Sequence, residues 1–225
     1  MLFGLRQNMT KKPPKAGLSK SRILAWRQCP KRLWLQIHRP DLADVSDATF
    51  ARFSMGAGVG EVARNPNPGG VLIGHGEAPS QALTETAALL EKPGDRTVYE
   101  AAFAHDGVLV RTDLLFRKRG KFDVIEVKAA TSVKDYYYDD AAVQACVMES
   151  AGCPARQFSI AHVNSSFVYP GGGNYDGLLE TVDVTADMEP IQEKVGGWVD
   201  EARSVLAGKE PEIRMGGQCD DPYPC

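Results

Sequence analysis

Three stretches of β-type sequence follow one another in the middle of the chain, and this arrangement constrains the fold more than any other feature. The stretches are Thr97–Ala104, Val108–Phe116 and Phe122–Lys128. His105-Asp106-Gly107 separates the first two and a segment around Gly120 separates the last two, and both are typical hairpin connections. Because such short connections favour antiparallel neighbours, the segment predicts the centre of a β-sheet.

Helical patterns lie on both sides of these strands. Ser19 followed by apolar residues predicts a capped helix to about Gln28, and Pro30 predicts the start of a second short helix that ends at His38. Two further helices are predicted at 48–64 and 137–151. Another is predicted to start at a Ser80 cap and to stop before Pro93-Gly94, and a last one to run from a Thr185 cap to residue 207. Two more strands are predicted at 158–163 and 179–184. The order of these elements predicts an α/β fold, in which a mixed central β-sheet is flanked by helices.

The distribution of charge along the chain is uneven. The 225 residues carry a net charge of −3, yet residues 1–40 contain ten Lys or Arg and no acid, so the other 185 carry 16 bases and 29 acids, a net of −13. Such asymmetry is typical either of a basic arm that binds polyanions or of a solvated tail. The overall content of 43% hydrophobic and 24% charged residues excludes fibrous and wholly disordered classes.

The sequence also restricts the cellular compartment. No run of ~18 apolar residues is present, so a membrane span is not expected, and the first residues do not have the pattern of a secretory signal. The five cysteines are odd in number and widely scattered, which argues against a disulfide framework. We therefore expect a cytoplasmic protein in a reducing environment.

The greatest chemical information lies in Arg111-Thr112-Asp113 and Ile125-Glu126-Val127-Lys128. Asp113 lies in the second predicted strand and Glu126 near the end of the third, so antiparallel pairing can bring the two carboxylates together. Lys128 is two residues from Glu126 and therefore on the same face of its strand. Carboxylate oxygens suit Mg²⁺ or Mn²⁺, and a lysine beside them can orient or help to deprotonate a water that attacks a phosphate.

A simpler interpretation of these residues is a solvated strand end, since the triplet Glu-x-Lys is common by chance. Val124, Ile125 and Val127 make this strand largely apolar. An acid and a base inside a buried strand require a ligand or a partner. The neighbouring residues therefore favour the functional interpretation.

Six segments between residue 18 and the end of the chain form a characteristic set, namely SKSRILAWRQCPKRLWLQ, GAGVGEVAR, RTD, IEVKAATSVKD, DDAAVQACVMESAG and GGQCDDPYPC. As a set they resemble RecB-type nucleases of the PD-(D/E)XK superfamily, and are similar to CRISPR-associated RecB-like exonucleases and to the amino-terminal nuclease domain of a bacterial protein family. The resemblance implies a restriction-endonuclease-like core of order αβββαβ. It covers the nuclease domain (18–208) and a cysteine-containing tail (209–225), which is truncated if the chain is part of a longer protein. Residues 1–17 are rich in Lys, Pro and Gly, a composition that predicts a mobile basic leader.

The resemblance assigns roles to the residues of the two strands. It implies that Asp113 and Glu126 ligate the metal, with the Val127 carbonyl as a further ligand, and that Lys128 is the catalytic lysine. Gln144 matches the glutamine of the family's QxxxY motif, which is expected near the nucleic acid backbone. The tyrosine of that motif is absent, because residue 148 is a methionine.

The resemblance also reaches the helices before the strands. Many relatives carry a metal-binding histidine in the first core helix; the corresponding residue here is Gly60, and the adjacent Glu61 either supplies the missing ligand or is an exposed helix residue. Arg27, Lys31 and Arg32 belong to basic helices that the resemblance places beside the substrate, where they would hold backbone phosphates.

The cysteines gain a second interpretation from the resemblance. Relatives with an iron–sulfur cluster use one cysteine before the core and three after it; Cys29 matches the first, and Cys219 and Cys225 match two of the others. A [4Fe–4S] cluster needs four thiolates. Either the chain is part of a longer protein, or the cluster is incomplete, or Cys153 is the fourth ligand.

The expected function is therefore a Mg²⁺- or Mn²⁺-dependent deoxyribonuclease, and more narrowly an exonuclease acting on single-stranded DNA or free ends. Its expected setting is DNA repair and recombination or anti-phage, CRISPR-type defence, with a larger parent chain or a helicase or repair protein as partner. The alternative is a non-catalytic nucleic-acid-binding or scaffolding module of a larger nuclease or helicase-type protein. Gly60 and the missing tyrosine keep this alternative open.

Overall fold

The computed structural model describes residues 17–43, 47–74 and 78–225, and of residues 47–50, 52 and 53 it describes the backbone alone. The predicted basic leader lies outside the described residues except for Gly17. The helices are α1 (Lys20–Gln28), α2 (Pro30–His38), α3 (Asp47–Arg64), α4 (Pro79–Glu91), α5 (Asp135–Ser150), α6 (Thr185–Gln192) and α7 (Val195–Ala207), and short 3₁₀ turns cover Pro40–Leu42 and Gly217–Cys219. Across the described residues, no helix combines the length and the apolar character that crossing a membrane requires.

The strands form one mixed sheet in the part of the chain that the structure describes. They are β1 (Leu18–Ser19), β2 (Val71–Leu72), β3 (Arg96–His105), β4 (Val108–Lys118), β5 (Lys121–Lys128), β6 (Ala155–Val163) and β7 (Leu179–Asp183). Their order is β2-β3-β4-β5-β6-β7, and β1 pairs with β4 outside this path. β3, β4 and β5 are antiparallel neighbours, and α5 connects β5 to the parallel strand β6. The predicted α/β fold, with its restriction-endonuclease-like core of order αβββαβ, is confirmed.

Two tight turns fix the register of the three central strands. His105 pairs with Val108 and Lys118 pairs with Lys121, so each hairpin has a two-residue loop. In both loops the two central residues have positive φ, with values of 45° and 72° in the first and 50° and 77° in the second. These are the dihedral signs of type I′ turns, whose twist matches that of the flanking strands. Each loop has glycine at its second position, which adopts this conformation without steric cost.

Two helix starts differ from the prediction. α4 begins at Pro79, where a missing backbone N–H is harmless, so Ser80 lies inside the helix and does not cap it. Thr185 is the first residue of α6, and its hydroxyl accepts a hydrogen bond from Phe158 N at 2.9 Å. This threonine therefore ties the helix to β6.

The predicted final helix is in fact two helices, α6 and α7. Pro190 has no N–H to donate within α6, and the chain turns tightly where Lys194 N donates to Ile191 O at 2.9 Å. Gly196 and Gly197 at the start of α7 have low helix propensity and weaken a continuous helix further.

The core lies mainly between the sheet and the helices α1, α5 and α7. Ile23, Met148 and Phe158 are fully buried members of this cluster. Ala63 of α3 belongs to a second cluster with Leu114. These two packed clusters hold the central strands in place.

At the outer edge of β3, a side chain accepts a backbone hydrogen bond in place of a neighbouring strand. β2 pairs with β3 only at Val98 and Tyr99, so backbone groups further along β3 need other partners. Thr86 of α4 is 2% exposed, and its hydroxyl accepts a hydrogen bond from Ala102 N at 2.9 Å. This bond fastens α4 to the sheet.

Thr86→Val should therefore destabilise the fold, because valine keeps the shape of threonine but leaves the Ala102 N–H without its acceptor. We expect the free energy of unfolding, measured with urea, to fall by about 1–3 kcal/mol. Thr84→Val is the matched control: Thr84 is exposed on the same helix, and its hydroxyl donates to Ser80 O one turn earlier. That change should stay within about 0.5 kcal/mol, and equal losses in the two variants would refute the assigned role of Thr86.

Candidate active site

The residues predicted on β4 and β5 lie where these two strands separate. Backbone pairing runs from the hairpin to Leu114 and Ile125 and ends there. Beyond this pair the Asp113 side chain replaces a backbone partner, since its Oδ2 accepts a hydrogen bond from Val127 N at 2.6 Å. Leu114 and Ile125 pack towards α3, so strand alternation places Asp113 and Glu126 on the opposite face.

The Glu126 carboxylate is the centre of this site and is only 4% exposed. Its Oε1 accepts hydrogen bonds from Lys20 Nζ at 2.7 Å and from Lys128 Nζ at 2.8 Å. Its Oε2 accepts a hydrogen bond from Gln144 Nε2 at 2.8 Å. Residues from α1, β5 and α5 thus meet at one carboxylate.

A second buried carboxylate, that of Asp140 on α5, completes the arrangement. Asp140 is 3% exposed; its Oδ2 pairs with Lys128 Nζ and its Oδ1 lies 3.2 Å from Lys20 Nζ. The contact with Lys20 is an ion pair without a hydrogen bond, because Oδ1 has no hydrogen-bond partner among the described residues. We call Lys20, Glu126, Lys128 and Asp140 the ion cluster.

Sequence reasoning missed Lys20 and Asp140, although each leaves a signal. Lys20 is the first residue of α1, where the positive end of the helix dipole disfavours a cation unless an acid lies nearby. Asp140 precedes Gln144 by four residues in α5 and so shares its helix face. Neither signal shows that Lys20 meets Glu126 and Asp140, because these acids lie more than 100 positions from Lys20 in the sequence.

The charges of the ion cluster stabilise one another. Burial by itself would raise the pKa of Glu126, but the ammonium groups of Lys128 and Lys20 outweigh it and hold that pKa well below its ordinary value. Burial would lower the pKa of Lys128, but Asp140 and Glu126 outweigh it and hold that pKa well above its ordinary value. Lys128 is therefore an ammonium that donates hydrogen bonds in this arrangement and not a neutral amine.

Asp113 shows the opposite behaviour. Burial, followed by repulsion from Glu126, raises the pKa of Asp113 to about 7. The charge of Lys20, the hydrogen bond from Val127 N and the charge of Lys128 lower this pKa, but together they do not restore the ordinary value of a carboxyl group. The site thus holds one carboxylate more than its own cations neutralise.

The donor set fits a hard divalent cation. Asp113 and Glu126 offer carboxylate oxygens on one face, and Mg²⁺ is commonly held by one or two carboxylates together with waters and substrate phosphates. Val127 donates its N–H towards Asp113, and the N–H and C=O of a strand residue point to the same side, so its carbonyl is also directed there. The described residues contain no group of three or more His, Cys, Asp or Glu side chains that could hold a metal ion by themselves, so water or substrate would supply the remaining ligands.

Gln144 lies differently from what the resemblance implies, and Glu61 lies apart from the ion cluster. Gln144 is completely buried and its amide supports Glu126, so it presents no surface to a nucleic acid backbone. Its Oε1 has no hydrogen-bond partner among the described residues. Glu61 is exposed on α3, and the neighbouring Ala63 packs on the face opposite Glu126. The structure does not bring Glu61 into the ion cluster, and its role as a ligand stays a prediction.

Two of the predicted phosphate-binding residues are engaged with acids of the protein. The Arg27 guanidinium donates to Asp139 Oδ2 at 3.1 Å and lies 4.3 Å from the centroid of the Trp198 ring. Lys31 pairs with Glu210 at 2.7 Å. Nucleic acid binding by either residue stays a prediction, and would have to compete with these contacts.

The carboxyl-terminal tail packs against the junction of α1 and α2. Gln28 Nε2 donates to Gln218 O and to Tyr223 O, both at 2.8 Å. Arg32, the third predicted phosphate-binding residue, donates to Gln28 Oε1 and lies 4.8 Å from the centroid of the Tyr223 ring. Arg32 therefore helps to hold the tail.

This docking brings two tail cysteines towards the region of Cys29. Cys29 is buried between α1 and α2, directly after Gln28, while Cys219 and Cys225 are joined by a hydrogen bond from Cys225 N to Cys219 O at 2.7 Å. All five cysteines are free thiols. Burial raises the pKa of the Cys153 thiol. The iron–sulfur cluster stays a prediction.

Comparisons with known proteins complete this description. No protein-family model matches the chain, and no curated protein matches it significantly. Among solved structures, it is similar to a candidate exonuclease from Eubacterium rectale, with 12% identity and a TM-score of 0.49 over 94% of this chain and 89% of that one. It is also similar to an alkaline exonuclease from Laribacter hongkongensis, with 12% identity and a TM-score of 0.37 over 84% of this chain and 89% of that one.

The raised pKa of Asp113 predicts an unusual pH dependence of stability. Its pKa is about 7 in the folded protein and 3.8 in an unfolded chain, so the folded state binds the proton more tightly and this group lowers stability as pH rises from about 4 to 7. Asp113→Asn removes the charge and keeps an acceptor for Val127 N. In EDTA at pH 8, the variant should melt a few degrees above the wild type, since each kcal/mol gained in the free energy of unfolding raises the melting temperature by about 2–4 °C. Near pH 4 the two melting temperatures should match.

Asp183→Asn is the control, because the charge of Asp183 has the opposite effect on stability from that of Asp113. Hydrogen bonds from the Thr185 hydroxyl and backbone lower the pKa of Asp183, so its charge favours the folded state above pH 4. This variant should not melt higher than the wild type at pH 8. A lower melting temperature for Asp113→Asn at pH 8 would contradict the assigned electrostatics.

Proposed function

We propose that the chain is a divalent-metal-dependent nuclease that hydrolyses phosphodiester bonds of DNA. The observation that carries this proposal is the convergence of Asp113, Glu126 and Lys128 on one face at the point where β4 and β5 separate. Two carboxylates with a lysine ammonium beside them provide both a place for a hard cation and a donor for a water or a phosphate oxygen.

The roles of the residues follow from their contacts. Asp113 and Glu126, with the Val127 carbonyl, would hold a Mg²⁺ or Mn²⁺ ion, which when bound supplies the positive charge that activates a water and neutralises the scissile phosphate. Gln144 fixes the orientation of Glu126 through its hydrogen bond to Oε2. Lys128 is held between Glu126 and Asp140, so its ammonium is positioned to orient the attacking water and to stabilise negative charge on phosphorus oxygens.

Several contacts limit how Lys128 acts. Its Nζ donates to two carboxylates and lies 5.2 Å from the centroid of the Tyr137 ring. The carboxylates keep it protonated, so of the two roles open to this lysine, orientation of water is favoured over deprotonation of water. A carboxylate of the site, or the substrate itself, would then accept the proton.

We infer single-stranded DNA or free DNA ends as substrate and exonucleolytic cleavage as the mode of action. The support is the RecB-type motif set in the sequence. DNA repair and recombination or anti-phage defence, with a helicase or repair protein as partner, is the setting that the same motifs favour. These narrower assignments depend on the hydrolytic site proposed above.

Lys128→Met and Asp113→Ala should each reduce cleavage of a labelled single-stranded oligonucleotide in Mn²⁺ or Mg²⁺ by at least about 100-fold. The first change removes the positioned ammonium, and the second removes a ligand of the cation. Cleavage is measured on denaturing gels, with EDTA added to a parallel sample of the wild type.

Lys121→Met is the matched control, since Lys121 is an exposed lysine at the opposite end of β5. It should cleave like the wild type, and circular dichroism should show that all variants are folded. Undiminished cleavage by both site variants would refute the assignment. A folded wild-type chain that binds DNA without metal-dependent cleavage would instead favour a non-catalytic binding module.

A further inference from the structure

Lys20 reaches the candidate active site from a distant part of the chain. β1 pairs in parallel with β4, with Ser19 opposite Leu109, and α1 starts at the next residue. Ser19 caps this helix by accepting a hydrogen bond from Arg22 N. The pairing thereby sets the start of α1 over the sheet, where Lys20 Nζ contacts Glu126 and Asp140.

The contacts of Glu126 leave no room for a further cation at Oε1. This oxygen accepts hydrogen bonds from two ammonium groups, at 2.7 and 2.8 Å, and a carboxylate oxygen has two principal lone-pair directions. Oε2 accepts one hydrogen bond, from the buried amide of Gln144. If Glu126 is to ligate a divalent cation through Oε1, one of the two lysines has to give up its hydrogen bond.

The geometry decides which lysine this is. Lys128 has a second firm contact with Asp140 Oδ2, and its side chain is 16% exposed. Lys20 lies 3.2 Å from Asp140 Oδ1, without a hydrogen bond, and its side chain is 21% exposed. Lys20 is therefore held less firmly and lies nearer to solvent, while Asp140 keeps it at the site.

The net charge of the site indicates what Lys20 does after it releases Glu126. With all groups ionised, Asp113, Glu126 and Asp140 carry three negative charges against two positive charges on the lysines. A bound divalent cation changes this net charge from −1 to +1, which complements the single charge of one phosphodiester. Without Lys20 the loaded site would be neutral and would attract the phosphate less.

We propose that Lys20 is a second cationic residue of this site, which blocks Glu126 in the metal-free protein and binds a phosphodiester oxygen of the substrate once Glu126 ligates a divalent cation. This inference rests on the proposed nuclease function and extends it to a residue outside the Asp-Glu-Lys set. Lys20 then has opposite effects on two ligands, since it competes with the metal ion and attracts the nucleic acid. A merely structural lysine would weaken both when removed.

Lys20→Met tests this opposition without relying on cleavage. In titration calorimetry without DNA, the variant should bind Mn²⁺ about 3- to 10-fold more tightly than the wild type, because a competing cation is gone. With Ca²⁺ in place of Mg²⁺, it should bind a single-stranded oligonucleotide more weakly. The slope of log K against log salt should fall by about 0.7, the value for one lost phosphate contact. Lys20→Arg should retain the wild-type slope.

Lys121→Met again serves as the control for general loss of charge and should change neither Mn²⁺ affinity nor the slope by these amounts. If Lys20→Met does not fold, as judged by its thermal melt in EDTA, Lys20→Gln is compared in its place. Mn²⁺ binding that is unchanged or weaker than that of the wild type, or an unchanged salt slope, would overturn the inference. Absence of Mn²⁺ binding by the wild-type chain would refute the proposed function itself, and the inference with it.

Discussion

The hydrogen bonds of the Glu126 carboxylate determine how three parts of the chain meet. Lys20 at the start of α1, Lys128 on β5 and Gln144 on α5 all donate to this one buried group. A buried carboxylate is costly unless its acceptor sites are filled with good geometry. The position of α1 over the sheet, and the inward face of α5, are therefore tied to the same residue that the proposed metal site requires.

The separation of β4 from β5 is the second constraint on the site. A continuous ladder would pair residue 113 with residue 126 through the backbone and close the space between them. Instead the Asp113 carboxylate accepts the Val127 N–H, which satisfies the backbone while leaving one carboxylate oxygen directed elsewhere. The type I′ hairpin at Arg119-Gly120 fixes the register from which this separation follows.

The residues of this site that could be predicted from the sequence are those whose positions depend on nearby residues of the chain. Hairpin signals set the register of Asp113, and the two-residue period of a strand put Glu126 and Lys128 on one face. Lys20 could not be found in this way, because it contacts Glu126 across 106 positions through the two-residue strand β1. Gln144 was predicted from its motif position to lie near the nucleic acid backbone, and only tertiary packing shows that its amide points inward to Glu126. For α6 and α7, local helix propensity was outweighed by Pro190 and the turn that follows it.

The ion cluster is better explained by chemistry than by stability. Buried ion pairs seldom stabilise a fold more than apolar residues of similar volume would, because the cost of desolvation offsets their attraction. Lys20, Lys128, Glu126 and Asp140 balance one another, but Asp113 is left with a pKa raised to about 7 by burial and by Glu126. A set of side chains arranged only for stability would not keep this additional carboxyl beside a balanced cluster. Its excess negative charge is what a divalent cation would neutralise, so the electrostatic imbalance of the metal-free site favours the binding on which the proposed hydrolysis depends.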